Sequence, residues 1–344
     1  MSTDAVLSDL LTQARDGSRR ALGRLLSQTE TGDARAGEVD RLAIAEQGNA
    51  WVIGIVGAPG VGKSTLTGHL AAAAARKQPA TRAPRVAVIA VDPSSPVTGG
   101  AILGDRVRMD AIAAAHGVFV RSMAHRGAAG GLANAVPIAV RVLGAAGVEV
   151  IIIETVGVGQ VELEIAMVAD TTVAVMSAGW GDAIQASKAG LLEVAEVLVV
   201  NKADQPDARA AQRDLEQMLD LGVVAGGAAG WRPPVLATVA TSGEGVDALW
   251  SAIEAHRTWL ERSGELDARH CAHLRHEVRG RALEGISRRL DAMLASTDIF
   301  YGPDTPDDWA RRLESRLCGG HGDPKRPSSP GMPAEGHDIT RPEV

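Results

Sequence analysis

Gly57–Ala58–Pro59–Gly60–Val61–Gly62–Lys63–Ser64 is a complete G-x-x-x-x-G-K-S stretch. It follows the apolar run Trp51–Val56 and opens onto Ser64–Ala75, a run that favours a helix. A strand emptying into a glycine-rich loop at a helix N-terminus presents successive backbone N–H groups to a phosphate chain. Gly57, Gly60 and Gly62 would let the chain approach phosphate without Cβ clashes. Lys63 would reach the β/γ-phosphates, and Ser64 would place its hydroxyl on Mg²⁺. The stretch therefore predicts a bound nucleotide and a strand–loop–helix unit to hold it.

Outward from that unit, apolar runs alternate with helical patterns. The runs predict strands at Val52–Val56, Val86–Val91, Val118–Arg121, Val150–Glu154, Thr172–Met176, Val197–Val200 and Val235–Ala240. Several lack polar alternation, as strands covered on both faces do. Helical connections through 64–75, 131–143 and 184–194 make the expected fold α/β, a P-loop NTPase whose mostly parallel sheet is flanked by helices. The order of strands is not readable. Leu7, Leu10, Leu11, Ala14, Leu22 and Leu25, continued by Leu42 and Ile44, predict helices ahead of the sheet. From Leu249 to Leu294 the apolar spacing predicts helices behind it, with a short one at Trp309–Leu317. The expected division is an N-terminal helical extension at 1–48, a nucleotide-binding domain at 49–255, C-terminal helices at 256–318 and a mobile tail at 319–344.

The second informative stretch is Asn201–Lys202–Ala203–Asp204, at the end of the apolar run 196–200. Asp204 would accept from N1–H and the exocyclic amine of guanine, a donor pair that adenine lacks. Asn201 would brace this loop or touch the base, and the stem of Lys202 would cover one base face. Ala240, in Thr238–Gly243, would bring its N–H near the guanine carbonyl. With the phosphate loop, this makes GTP or GDP the expected ligand.

Between these loops, Glu154 ends an apolar run and would support Mg²⁺ or its water shell. Gly157 would offer its N–H to a γ-phosphate, and Gln160 would position water, being a poor base. Asp92 and Asp105 would complete the metal shell or cap loops. Asp182, Gln185 and Lys188 recur at helical spacing after Ser177–Gly181.

Composition narrows the setting. The net charge of −7 argues against a general nucleic-acid surface, and the two cysteines, Cys271 and Cys318, are only two and widely separated, which makes neither a cysteine metal cluster nor a disulfide framework. Arg279–Arg289, interrupted by apolar residues, reads as a charged helix face. The N-terminus lacks the basic-then-apolar order of a secretion signal, and every long apolar run is broken by charge, so no membrane association and a cytoplasmic location are expected.

The stretches GAPGVGKST, VDPSSPVTGGAILGDRVRM, RGAAGGLA, ETVGVGQVE, GDAIQASKAGLLEVAEVLVVNKAD and ATSGEGVDALW together resemble the MeaB/ArgK family of GTPases. That family comprises chaperones of adenosylcobalamin-dependent acyl-CoA mutases such as methylmalonyl-CoA mutase. The resemblance implies phosphate binding by Gly57–Thr65, guanine recognition by Asn201, Lys202 and Asp204, and an Mg²⁺/switch cluster of Ser64, Asp92, Asp105 and Glu154. It also implies a further switch in which Gln185 and Lys188 approach the nucleotide once the mutase binds. A homodimer through the C-terminal helices is implied too, with GTP hydrolysis linked to cofactor loading, release or protection. Ala128 and Ala129 stand where the family often has larger residues, and Ala183 where an acidic residue is common; none lies in the phosphate or base loop.

Another class of function stays open at this point: a nucleotide-gated scaffold that delivers metal to another metalloenzyme. The nearest delivery motif is His270, Cys271, His273 and His276, flanked by Arg269 and Arg275, whose charge would disfavour a cation. A kinase could use the same phosphate loop, but the base loop favours guanine and ETVGVGQ fits a switch better than an acceptor pocket.

Overall fold

The structure is a computed structural model describing residues 3–30, 34–46, 48–78, 83–93, 116–125, 131–155, 160–177, 192–221, 230–296 and 305–317. Its centre is a seven-stranded, wholly parallel sheet in the order β3-β2-β4-β1-β5-β6-β7. The strands are β1 (Trp51–Val56), β2 (Val86–Pro93), β3 (Phe119–His125), β4 (Val150–Thr155), β5 (Thr171–Ser177), β6 (Val197–Asn201) and β7 (Val235–Thr238). Each predicted strand is present. β7 stops two residues short of its predicted end, where Val239 instead bridges Glu244 in a tight turn.

β1, β4 and β6 are buried along their whole length, which explains why their sequences carry no polar alternation. One face of the sheet packs on α4 (Lys63–Lys77) and α8 (Val246–Ser263), through Leu66, Leu70, Leu249 and Ile253. The other packs on α5 (Gly131–Ala145), α6 (Gln160–Ala166) and α7 (Ala208–Asp220), and the N-terminal helices join this core. Those are α1 (Thr3–Arg15), α2 (Arg19–Thr29) and α3 (Ala34–Ala45). The buried stripe on α2 is Leu22, Leu25 and Leu26, and Ser18 caps that helix by accepting from the Ala21 N–H. On α3 the inward positions are Ala36, Val39 and Ala43, whereas Ile44 is exposed and Leu42 only partly covered. Successive residues on a helix are rotated by about 100°, so Leu42 and Ile44, on either side of Ala43, turn away from the inward face.

α9 (Glu265–Ala295) follows α8 across Gly264, which takes a left-handed conformation. Its early part is held by charge rather than by apolar packing. Arg141 of α5 donates to Asp40 of α3 (2.7 Å) and to Glu277 of α9 (2.7 Å), and Arg281 closes the ring onto Asp40 (2.8 Å). Leu274 and Leu283 of the predicted apolar spacing are exposed, as is Val278. The chain divides into two compact units, residues 1–284 and 285–344. Within the second, α10 (Pro306–Leu317) matches the helix predicted at Trp309–Leu317, with Arg312 4.9 Å over the Trp309 ring. The predicted tail at 319–344 lies outside the described residues.

Candidate functional site

Parallel strands deliver their C-terminal ends to one edge of the sheet, where ligands of open α/β sheets bind. There β1 empties into residues 57–62, and α4 begins at Lys63. Gly57 adopts φ +143°, and a Cβ on it would lie 2.1 Å from the carbonyl oxygen of Val175. Gly62, at φ +97°, is closed in by Asn201, whose Nδ2 would lie 2.4 Å from an added Cβ. A side chain would displace strand backbone at Gly57 and the Asn201 side chain at Gly62, so the spacing of the motif is enforced by packing as well as by phosphate access.

Lys63 is buried, and its Nζ donates to the carbonyls of Gly57 and Ala58, the latter at 3.0 Å. The loop thus folds around its own cation. Ser64 Oγ donates to Oε1 of Glu154, a fully buried carboxylate on β4. β4 lies directly beside β1, with Glu154 in register with Ile55. A hydroxyl and a carboxylate side by side at the loop form a hard-oxygen donor set of the kind Mg²⁺ prefers, so these residues fit that ion.

The base loop meets the phosphate loop through Asn201, which is 1% exposed. Its Nδ2 donates to the Val61 carbonyl at 2.7 Å, and its Oδ1 accepts from Thr238 Oγ1 (3.1 Å) and the Ala240 N–H (3.0 Å). Of the two roles open to Asn201, the bracing one is what this geometry displays. Lys202 takes φ +58°, rare for a residue with a side chain, and lays its Nζ on the Gly60 carbonyl at 2.8 Å. Asp204 is exposed beside it. The Ala240 N–H, expected near a guanine carbonyl, is engaged by Asn201 in this structure. Ala58, Pro59, Gly60, Val61 and Thr65 occupy the loop and first helical turn as read from the sequence.

The remaining predicted site residues divide by position. Asp92 is the penultimate residue of β2, at the same sheet edge, and Gln160 opens α6; both side chains lie outside the described residues. Asp105, Gly157, Gln185 and Lys188 also lie outside them. The sequence reading missed Glu162. It is 3% exposed on α6, and its Oε1 accepts from the Gly57 N–H at 3.1 Å. Its place in ETVGVGQVE was the available signal.

The histidine run on α9 contacts a carboxylate just before the start of β5. His270 Nε2 meets Asp170 Oδ1 at 2.8 Å, and this hydrogen bond holds its pKa above the usual histidine value. Burial pushes His273 down to about 4. Among the described residues, no group of three His, Cys, Asp or Glu is arranged to hold a metal ion. A further cavity of about 330 Å³ lies between α5, α6 and α9, lined by Pro137, Arg141, Ile165, Asp170, His273 and Leu274 among others.

Comparison with known proteins gives the site its context. Residues 20–294 match the model of a family described as "Methylmalonyl Co-A mutase-associated GTPase MeaB". A candidate GTPase of Pyrococcus abyssi is 46% identical over 274 residues, covering 80% of this chain and 83% of that one. The GTPase ArgK of Escherichia coli is 36% identical over 278 residues, covering 77% and 80%. The mouse protein named methylmalonic aciduria type A homolog, mitochondrial, is 33% identical over 218 residues, covering 63% of this chain and 51% of its own length. Among solved structures, a "LAO/AO transport system kinase" superposes with a TM-score of 0.65 at 26% identity, over 92% of this chain and 99% of the other. The family match runs from α2 into the last turn of α9, and the chain belongs to the MeaB family of GTP-hydrolysing proteins.

Proposed function

We propose that this GTPase acts as a chaperone of an adenosylcobalamin-dependent acyl-CoA mutase, coupling GTP hydrolysis to loading, release or protection of the mutase's cofactor. The observation that carries the nucleotide half is the Asn201 junction, which ties a phosphate loop and a guanine-type base loop into one rigid cradle. Support for the mutase comes from the family's description and from the name of the mouse relative.

In this reading the loop N–H groups from Gly57 to Thr65 and the Lys63 ammonium offset charge on the transferred phosphoryl group. Ser64 and Glu154 hold Mg²⁺, with Asp92 and Asp105 completing its oxygen surroundings. Bound there, the ion would neutralise negative charge on the β- and γ-phosphate oxygens. Gly157 donates to the γ-phosphate, Gln160 orients the attacking water, and Gln185 and Lys188 join once the mutase is engaged. Asp204 reads guanine; Ala240 reaches the base carbonyl only if its N–H exchanges Asn201 for it. The exposed Leu274, Val278 and Leu283 support a homodimer through α9. No helix among the described residues is long and apolar enough to cross a membrane, which accords with action in the cytoplasm.

The test is to mix the purified protein with adenosylcobalamin-dependent acyl-CoA mutases and follow complex formation and GTP turnover together. A stable complex with altered turnover is expected. Turnover that no mutase changes, with no complex formed, would leave the GTPase standing and remove the mutase.

A further inference from the structure

The cavity of about 330 Å³ between α5, α6 and α9 lies wholly within residues 48–277, at the low end of the size range of small-molecule sites. Its strand residues are Val52, near the start of β1, and Asp170, just before β5, so it sits at the edge of the sheet away from the nucleotide cradle. Asn49 and Met167 line it and are exposed, which leaves a way in from solvent. Val136, Pro137, Val140, Ile165 and Val168 give it an apolar wall.

Most charge on that wall is answered inside the protein. Arg141 donates to Asp40 at 2.7 Å and to both oxygens of Glu277 at 3.0 and 2.7 Å. Asp170 accepts from the Val52 N–H through one oxygen and meets His270 through the other, both at 2.8 Å. Glu164 of α6 is the exception. It is half-buried, and among the described residues its carboxylate has neither an ion pair nor a hydrogen bond. His273 and His276, three positions apart on α9, also line the cavity without a hydrogen bond to either ring among the described residues. Burial keeps the His273 ring uncharged at neutral pH, so it offers an acceptor nitrogen.

An unanswered carboxylate on an apolar wall disfavours an anion and favours a cation that carries hydrocarbon with it. A metal ion is a poor match, because among the described residues no three His, Cys, Asp or Glu are arranged to hold one. Glu164, His273 and His276 therefore do not gather at a single point, and acceptors spread along a wall suit an extended molecule. We propose that this cavity binds an aliphatic ammonium compound. Its charged end pairs with Glu164, its hydrocarbon body lies against Val136, Val140 and Ile165, and His273 offers a further acceptor. No part of this depends on the nucleotide site.

The experiment titrates the full chain calorimetrically at neutral pH with n-hexylammonium, n-hexanol and n-hexanoate, three probes of similar shape and different charge. Hexylammonium is expected to bind one to one and at least about tenfold more tightly than hexanoate. E164Q keeps the shape of the side chain and removes its charge, and should weaken hexylammonium about tenfold, the scale of one charged hydrogen bond, while leaving hexanol unchanged. V140F fills the cavity from α5 and should abolish binding of hexylammonium and hexanol together; if it does not fold, E164Q decides alone. Thermal melts check that each variant is folded. No saturable binding of hexylammonium, equal affinity for hexanoate, or unchanged affinity in folded E164Q would overturn the proposal. So would displacement of hexylammonium by an equimolar amount of Zn²⁺, which would make the site a metal site. GDP titrated into the same preparations should bind E164Q as it binds the unmodified protein, and its failure to bind either would count against the nucleotide reading alone.

Discussion

Asn201 joins the phosphate loop to the base loop through its side chain alone. Its side chain makes three hydrogen bonds in a space with almost no water access, joining loops 140 and 39 residues away in sequence. Replacing it with alanine would strand the Val61 carbonyl, the Thr238 hydroxyl and the Ala240 N–H. Stranded buried groups cost about 1–3 kcal/mol each before relaxation. Asn201→Ala is therefore expected to lower stability by roughly 2–4 kcal/mol and to weaken GTP and GDP alike. Chemical denaturation and nucleotide titration of the same preparation check both; a variant that lost affinity with full stability would contradict the bracing role. The motif made Asn201, Lys202 and Lys63 visible in the sequence, because phosphate and guanine chemistry fix their types and spacing. Glu162 was not visible as a contact, since its partner is chosen by α6 folding back on β1. The engagement of the Ala240 N–H was hidden for the same reason: which acceptor a loop N–H finds depends on a side chain from another strand.

At the scale of elements, the strands were legible because their apolar runs lack alternation, while the strand order depends on which face each crossover takes. Charge complementarity between distant elements was equally unreadable. Arg269 of α9 binds Glu196 (2.7 Å) and the Asp170 carbonyl (3.0 Å), pinning the helix to the edge of the sheet opposite the nucleotide site. Beside it, the fully buried His256 of α8 packs against both Trp231 and Trp259, with ring centroids at 4.8 and 5.9 Å, and its Nδ1 meets Thr171 Oγ1 at 2.9 Å. Burial first, and then the Arg269 charge, push the His256 pKa from 6.5 to about 3. A depressed histidine leaves stability untouched above its unfolded pKa. As pH falls below that value, the unfolded chain takes up a proton that the folded chain refuses, at a cost of about 1.4 kcal/mol per pH unit. His256→Phe keeps an aromatic ring against the tryptophans and abolishes this titration. At pH 7.5 the variant should be less stable by about 1 kcal/mol, from the lost Thr171 hydrogen bond. By pH 5 the gap should close or reverse. His273 has the same sign and stays, so some acid sensitivity persists in the variant. Urea midpoints at the two pH values decide the matter: parallel losses in both proteins would show that His256 does not titrate as described.

For the molecule as a whole, the sheet separates two edges with different duties. One gathers the ends of β1, β4, β6 and β7 around the nucleotide cradle, and the other is closed by α8 and α9 through Arg269, His270 and the His256 aromatic cluster. The cradle edge carries buried charge in Lys63 and Glu154, a cation and a carboxylate suited to a phosphate chain and its metal. Because the cradle is assembled by folding, with Asn201 joining its two loops, ligand binding and folding are linked, and binding to the native state alone stabilises it by RT ln(1 + [L]/Kd). At a hundred times Kd this amounts to about 2.7 kcal/mol, which for a chain of this size corresponds to a rise of several degrees in melting temperature. GDP with Mg²⁺ is expected to produce that rise, whereas ADP with Mg²⁺ should produce little, because Asp204 offers an acceptor where adenine has no matching pair of donors. Chelating the metal should remove much of the gain for GTP, since Ser64 and Glu154 would then face the phosphates without a cation between them. Thermal melts with each nucleotide, with and without chelator, test all three expectations in one set of samples. Equal shifts with GDP and ADP would refute the guanine assignment, and an undiminished GTP shift in chelator would remove Mg²⁺ from the site.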